Sequence, residues 1–274
     1  MQIGIMARTF VRPTLEEVLD AVASHDIHCI QFSFTCAGLQ EMPVDIEPEI
    51  SDYIRSEMQK RDIVMGAVSG TFNMIDPNVG KRYDGLQRLE TLAAACERLG
   101  TSVITLCTGT RDPESMWKWH PENDTPEAWD DLVKVMTKAV KYAEKYKVNM
   151  AFEPEVSNVV DSASKARRLI NQIKSPYLKV VMDPANIFHK GELVRMNEMI
   201  DEAFVLLGDY IALAHAKDLD HDGEAGHLAA GKGLLDYKQY LSWLKNYDPD
   251  LPLILHGLSE DEVDDCVDFL KVHG

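Results

Sequence analysis

The segment VNMAFEPE, Val148–Glu155, turns from strand to candidate site within a few residues, and its reading decides how the rest of the chain is understood. Val148, Met150 and Phe152 alternate with Asn149, Ala151 and Glu153, the period of a strand with one apolar face against helices and the other face toward something more polar. Pro154 has no N–H to give to a ladder, so the strand ends there. Glu153 is thereby placed inward at the C-terminal tip, with Glu155 just beyond it. A single glutamate at a strand end is more ordinarily a salt-bridged structural residue than a site residue. What separates the two readings is whether later strands repeat the pattern.

Working outward, short apolar strands alternate with amphipathic helices along the whole chain. The strands are expected at Gln2–Ala7, His28–Phe34, Ile63–Val68, Ser102–Cys107, Val148–Glu153, Leu178–Asp183, Tyr210–Lys217 and Leu253–His256. The helices are expected at Thr14–Ser24, Glu49–Lys60, Lys81–Leu99, Pro126–Tyr146, Ser162–Ile173, Glu192–Leu207, Tyr237–Asn246 and Glu260–Val272. Such alternation implies parallel strands joined by right-handed crossovers. The economical closure of eight repeats is a (β/α)8 TIM barrel, an α/β fold, as a single domain over residues 1–274. An open doubly wound sheet is the alternative, but no GxGxxG follows the first strand.

Composition bounds the function. The 274 residues are 45% hydrophobic and 8% aromatic, an ordinary globular balance. With 28 Lys and Arg against 45 Asp and Glu, the formal charge of −17 opposes nucleic acid as a partner. Five scattered cysteines without a CxxC pair suit a reducing compartment. The start, MQIGIMART, lacks the basic opening and long apolar run of a signal peptide, and no stretch approaches a membrane span, so a cytoplasmic location is expected.

In a barrel of this kind the catalytic groups come from the C-terminal strand ends and the loops that follow. The sixth strand, LKVVMD, places Asp183 inward at its tip, followed by Asn186 and His189. The seventh, YIALAHAKD, turns Leu213, His215 and Lys217 inward, and the eighth, LPLILHG, ends with His256 inward. Glu153, Asp183, His215 and His256 then stand at successive tips. Buried carboxylates and imidazoles are costly without a partner. One divalent metal ion is the natural one. Mixed carboxylate and imidazole ligands suit Mn²⁺, Co²⁺, Fe²⁺ or Zn²⁺ better than Ca²⁺, with Mg²⁺ also open.

Glu153 in FEPE, Asp183 in VMDPAN, His215 in HAKD and the loop AAGKGLLDY before the last strand together resemble the xylose-isomerase-like TIM-barrel superfamily of sugar isomerases and epimerases. The resemblance covers essentially the whole chain, is specific at the strand tips and is silent on substrate. It extends to ketose 3-epimerases, hydroxypyruvate isomerases, inosose dehydratases and the DNA-repair enzyme endonuclease IV. It implies Glu, Asp, His and Glu as metal ligands, the first three at Glu153, Asp183 and His215. The fourth position departs from the pattern, with His256 where the family has Glu, and Asn186 takes a place where a histidine is common.

The expected function is a metal-dependent isomerase or epimerase of a small sugar, sugar phosphate or sugar acid, acting through an enediolate. An inosose-type dehydratase and a non-catalytic sugar-binding barrel are the alternatives. Glu153 is the candidate base, with Glu155, Lys217 and His256 for the second proton transfer. The partner expected is a small sugar-like molecule, neither nucleic acid nor membrane, and a homo-oligomer is left open. Thr108–Asp124, carrying Arg111, Trp117, Trp119 and His120, has the length and aromatic content of a lid. Arg111 either clamps an anionic group or bridges the adjacent Asp112, and Trp117 either stacks on a sugar or packs in the loop. Ser69, Thr71 and Asn73 suit hydroxyl recognition. Asn186 and His189 join the substrate-contact candidates, and the run Asp218–His227 reads equally as solvated surface.

Overall fold

The computed structural model describes Met1–His273, and among these residues eight parallel strands close into a barrel. The strands are β1 (Gln2–Met6), β2 (Cys29–Phe32), β3 (Val64–Ser69), β4 (Val103–Cys107), β5 (Asn149–Glu153), β6 (Leu178–Met182), β7 (Ile211–Asp218) and β9 (Pro252–Leu255). Each neighbours the next, β6 pairs with β7, and β9 returns to β1 with Ile5 opposite Leu255. The outer layer is α1 (Leu15–Ser24), α2 (Pro48–Gln59), α3 (Val79–Leu99), α4 (Pro126–Tyr146), α5 (Ala163–Ile173), α6 (Met196–Leu207), α7 (Tyr237–Tyr247) and α8 (Val263–His273). The expected fold class therefore stands. None of these helices is long and apolar enough to cross a membrane.

Two apolar clusters hold the barrel. The larger lies between strands and helices. The smaller fills the barrel interior with one side chain from each strand: Met6, Cys29, Ala67, Val103, Ala151, Val181, Leu213 and Ile254. Because side chains on a strand alternate, the residue two positions further along each strand faces the same interior one level nearer the C-terminal rim. Those residues are Arg8, Gln31, Ser69, Thr105, Glu153, Asp183, His215 and His256. The inward face thus switches from apolar to polar within a single strand repeat.

Differences from the expected boundaries have local causes. The last helix begins at Val263 because Ser259 and Glu262 form a capping box around a 3₁₀ turn at Glu260–Glu262. A similar turn at Leu193–Arg195 precedes α6. The segment after β7 is not simply solvated surface. Leu228–Ala229 forms a short antiparallel strand, β8, against Lys217 and Asp218.

Asp218, the last residue of HAKD, is 1% exposed and organises the connection to α7. Its Oδ1 accepts from the N–H groups of Leu219 and Leu235, and its Oδ2 from those of Gly231 and Gly233. This explains the GKG pattern. Gly231 has φ +81°, and a Cβ at Gly233 would overlap the Asp218 carboxylate and the Leu219 carbonyl. From α7, the Tyr237 hydroxyl donates to the Lys217 carbonyl, while that of Tyr240 lies 2.8 Å from the His215 carbonyl oxygen and 3.0 Å from that of Met182. The motif is therefore a brace that fixes the rim ends of β6 and β7. Asp218→Asn keeps the shape but sets an amide against backbone donors, and should cost about 2–4 kcal/mol of stability. Urea unfolding measures it, and a loss under about 0.5 kcal/mol would contradict the bracing role.

Candidate active site

The rim of the barrel opens into a cavity of about 300 Å³. Its floor is the polar level of the interior, with Arg8, Gln31, Ser69, Thr105, Glu153, His215 and His256 in its lining. Lys217, Glu155 and Asn186 stand higher on the same wall, and Trp117 and Met116 overhang it. Asp183, on the same level, is 1% exposed and outside the lining, its Oδ1 accepting from the Ala185 N–H at 3.0 Å.

The centre is a compact charge network. Asn186 Nδ2 donates to Glu153 Oε1 at 2.6 Å and reaches Asp183 Oδ2 at 3.2 Å, while its Oδ1 accepts from the Gly226 N–H. Lys217 Nζ lies 3.3 Å from Asp183 Oδ2. His215 Nδ1 is 3.4 Å from Glu153 Oε1 and 3.8 Å from Asp183 Oδ2. The rings of His215 and His256 meet edge to face at 4.9 Å. Ligand atoms of Asp183, His215 and His256 all lie within 4.8 Å of one another, and His256 Nδ1 is buried without a hydrogen-bond partner. An orphaned imidazole nitrogen beside a carboxylate and a second imidazole fits a divalent cation.

The electrostatics follow from burial. Desolvation is the largest influence on both central carboxyls and raises both. Around Glu153 the fields of His215 and Lys217 outweigh it and hold the group below the usual carboxylate range. For Asp183 burial prevails despite Lys217, and the ionised Glu153 adds to it, so the group rises to about 6. Burial, with the nearby charge of Lys217, pushes His256 well below the ordinary imidazole value, leaving it neutral with one ring-nitrogen lone pair available. Glu155 is raised to about 7, chiefly by burial, although it accepts hydrogen bonds from Ser157 N and Asn158 Nδ2.

Three expected substrate contacts lie elsewhere. Arg111 does not line the cavity. Its guanidinium is bound to Asp131 on α4 at 2.6 Å and to the Ile75 carbonyl at 2.9 Å, so its partner is neither a ligand nor Asp112. Asn73 faces the strap and not the cavity, donating to the Thr110 carbonyl and accepting from the Thr110 N–H. His189 points away toward Asp161, 3.7 Å from its carboxylate. The Thr108–Asp124 segment is accordingly a strap more than a free lid. Gly109 N donates to Asn158 Oδ1 and Arg111 N to Asn123 Oδ1, and the overhanging tip carries Trp117. Arg8, Gln31, Glu41, Thr105 and Cys107 line the cavity without having been singled out from sequence. The signal for Gln31 was present, since it is the only strongly polar residue within the strand CIQF.

Solved structures of the same architecture span the whole chain. D-psicose 3-epimerase with D-tagatose from Clostridium cellulolyticum H10 is 14% identical with a TM-score of 0.73, covering 99% of each chain. The probable 3-DHS dehydratase AsbF from Bacillus anthracis is 14% identical with a TM-score of 0.75, again covering 99% of each. The IOLI protein with a binding zinc atom is 18% identical with a TM-score of 0.72, covering 99% of this chain and 97% of that one. At such identities the likeness shows the fold alone. No curated protein sequence matches the chain. Residues 19–271 match the model of the xylose isomerase-like TIM barrel, and the chain belongs to that family.

Proposed function

We propose that this protein is a divalent-metal-dependent isomerase or epimerase of a small sugar, sugar phosphate or sugar acid. The observation that carries the reading is the convergence of Asp183, His215 and His256 within 4.8 Å, beside Glu153 and on a closed polar floor. A cavity of about 300 Å³ is at the low end for small-molecule sites and suits one sugar-sized ligand. The formal charge of −17 supports a small-molecule partner over nucleic acid.

Asp183, His215 and His256, with Glu153, would hold the cation, which when bound supplies Lewis-acid stabilisation of negative charge on adjacent substrate oxygens. Glu153 takes the proton from a carbinol carbon next to the substrate carbonyl. The C–H electron pair becomes a C=C bond, the carbonyl pair moves to oxygen, and an enediolate results. A proton returned to the opposite face of the same carbon gives an epimer, and one returned to the neighbouring carbon, with the carbinol hydroxyl proton passing to the former carbonyl oxygen, gives an isomer. Glu155 and Lys217 are the groups within the cavity wall that can return it, and His256 is the third where it stands off the cation and carries a proton. Asn186 holds Glu153 in place, and Trp117 closes the sugar face.

Dehydration is the second reading, favoured by Lys217, a 5% exposed ammonium in the cavity wall that can protonate a departing hydroxyl. NMR in D₂O separates the two. Isomerisation or epimerisation leaves solvent deuterium on carbon without loss of water, while dehydration yields an unsaturated ketone.

Asp183→Ala and His256→Gln should each weaken Mn²⁺ or Co²⁺ binding about 10-fold or more while the barrel stays folded. Calorimetric titration checks this, and equal affinity in all three proteins would remove the metal reading. Turnover lost in His256→Gln with the cation still bound would instead make His256 a proton donor. Arg111→Gln should lower stability by about 1–3 kcal/mol through loss of its half-buried ion pair with Asp131, and leave cation affinity unchanged. A drop in cation affinity without a drop in thermal midpoint would contradict the strap assignment.

A further inference from the structure

Gln31 occupies the floor of the barrel on β2, 4% exposed, and each of its side-chain partners is also buried. Its Nε2 has two hydrogens and two oxygen neighbours, Thr105 Oγ1 at 2.9 Å and Ser69 Oγ at 3.2 Å. Its Oε1 lies 2.9 Å from His215 Nε2. With both amide hydrogens spent on hydroxyl oxygens, Oε1 can only accept, and the one available donor is the His215 Nε2–H. That puts a proton on His215 Nε2.

We infer that Gln31 is a positioning residue that selects the His215 tautomer, leaving the Nδ1 lone pair directed at the Glu153 and Asp183 carboxylates. The 3.4 and 3.8 Å separations of Nδ1 from those oxygens are too long for good N–H···O bonds and leave room for a cation between nitrogen and carboxylates. The same amide fixes the hydroxyls. Thr105 and Ser69 accept from Gln31, so their own protons are free to point into the cavity both residues line. The β3–β4 side of the floor is therefore a pair of donors matched to carbonyl or hydroxyl oxygens of a ligand. The opposite amide orientation would place the proton on Nδ1 and close the site to a cation.

The inference rests on the proposed cation site, but its first readout needs no cation. In metal-free protein labelled with ¹⁵N-histidine, long-range ¹H–¹⁵N spectra should show His215 with a protonated Nε2 and a pyridine-type Nδ1. Gln31→Leu, which removes the acceptor at similar volume, should produce a mixture of tautomers. It should also weaken Co²⁺ binding about 10- to 100-fold in calorimetry. Gln31→Glu, still an acceptor, should return Co²⁺ affinity to at least the wild-type level, which simple loss of packing would not explain. A protonated Nδ1 in the wild type would overturn the inference, as would an unchanged tautomer in a folded Gln31→Leu protein. Should wild type bind no Co²⁺ yet show the expected tautomer, the cation reading fails while the role of Gln31 stands.

Discussion

The structure depends on one constraint, the placement of two carboxylates, Glu153 and Asp183, one strand repeat above a fully apolar layer in the middle of a closed barrel. An ionised carboxylate there loses most of its hydration, and nothing in the layer beneath can replace it. The compensation comes from Lys217, 3.3 Å from Asp183, from Asn186, 2.6 Å from Glu153, and from the His215 and His256 rings. Lys217 and His215 come from β7, Asn186 from the turn after β6 and His256 from the end of β9, so the charges are satisfied when β5, β6, β7 and β9 are in register.

That dependence explains why so much of the surrounding chain braces the rim. Asp218 gathers four backbone N–H groups, the α7 tyrosines hold the carbonyls of His215 and Lys217, and Asn73 clasps Thr110 across two loops. Asn158 stands between the strap and the site, donating to Glu155 and accepting from Gly109. Movement of the strap therefore reaches the cavity wall through hydrogen bonds, with Asn158 as the shared member.

The barrel and its polar tips were legible because both rest on period two. Once FEPE, VMD, HAKD and ILH are read as strand ends, parity alone turns Glu153, Asp183, His215, Lys217 and His256 inward, and the structure places them at one mouth. The loop residues were not legible, because their partners are set by tertiary approach. Arg111 looks like an anion clamp until α4 brings Asp131 to it, and His189 looks like part of the site until its loop turns it toward Asp161. Gln31 was passed over for the opposite reason. Amid the charged tips a neutral amide carries no obvious chemistry, and its importance appears only when both of its ends are seen to be occupied.

The departure at His256 changes the charge balance and with it the kind of site this can be. With imidazole in place of the carboxylate that the family pattern carries, the four candidate ligands contribute two negative charges in place of three, and Lys217 already offsets one of them at Asp183. With Lys217 counted, these groups therefore keep about one net negative charge among them. A divalent cation entering such a centre meets less opposing charge than it would among three carboxylates, so it is held more loosely and, once held, withdraws electron density more strongly from substrate oxygens. Neutral His256 is the hinge of this balance: burial and the positive charge of Lys217 keep it unprotonated, and only in that form can it share a cation with His215 and Asp183.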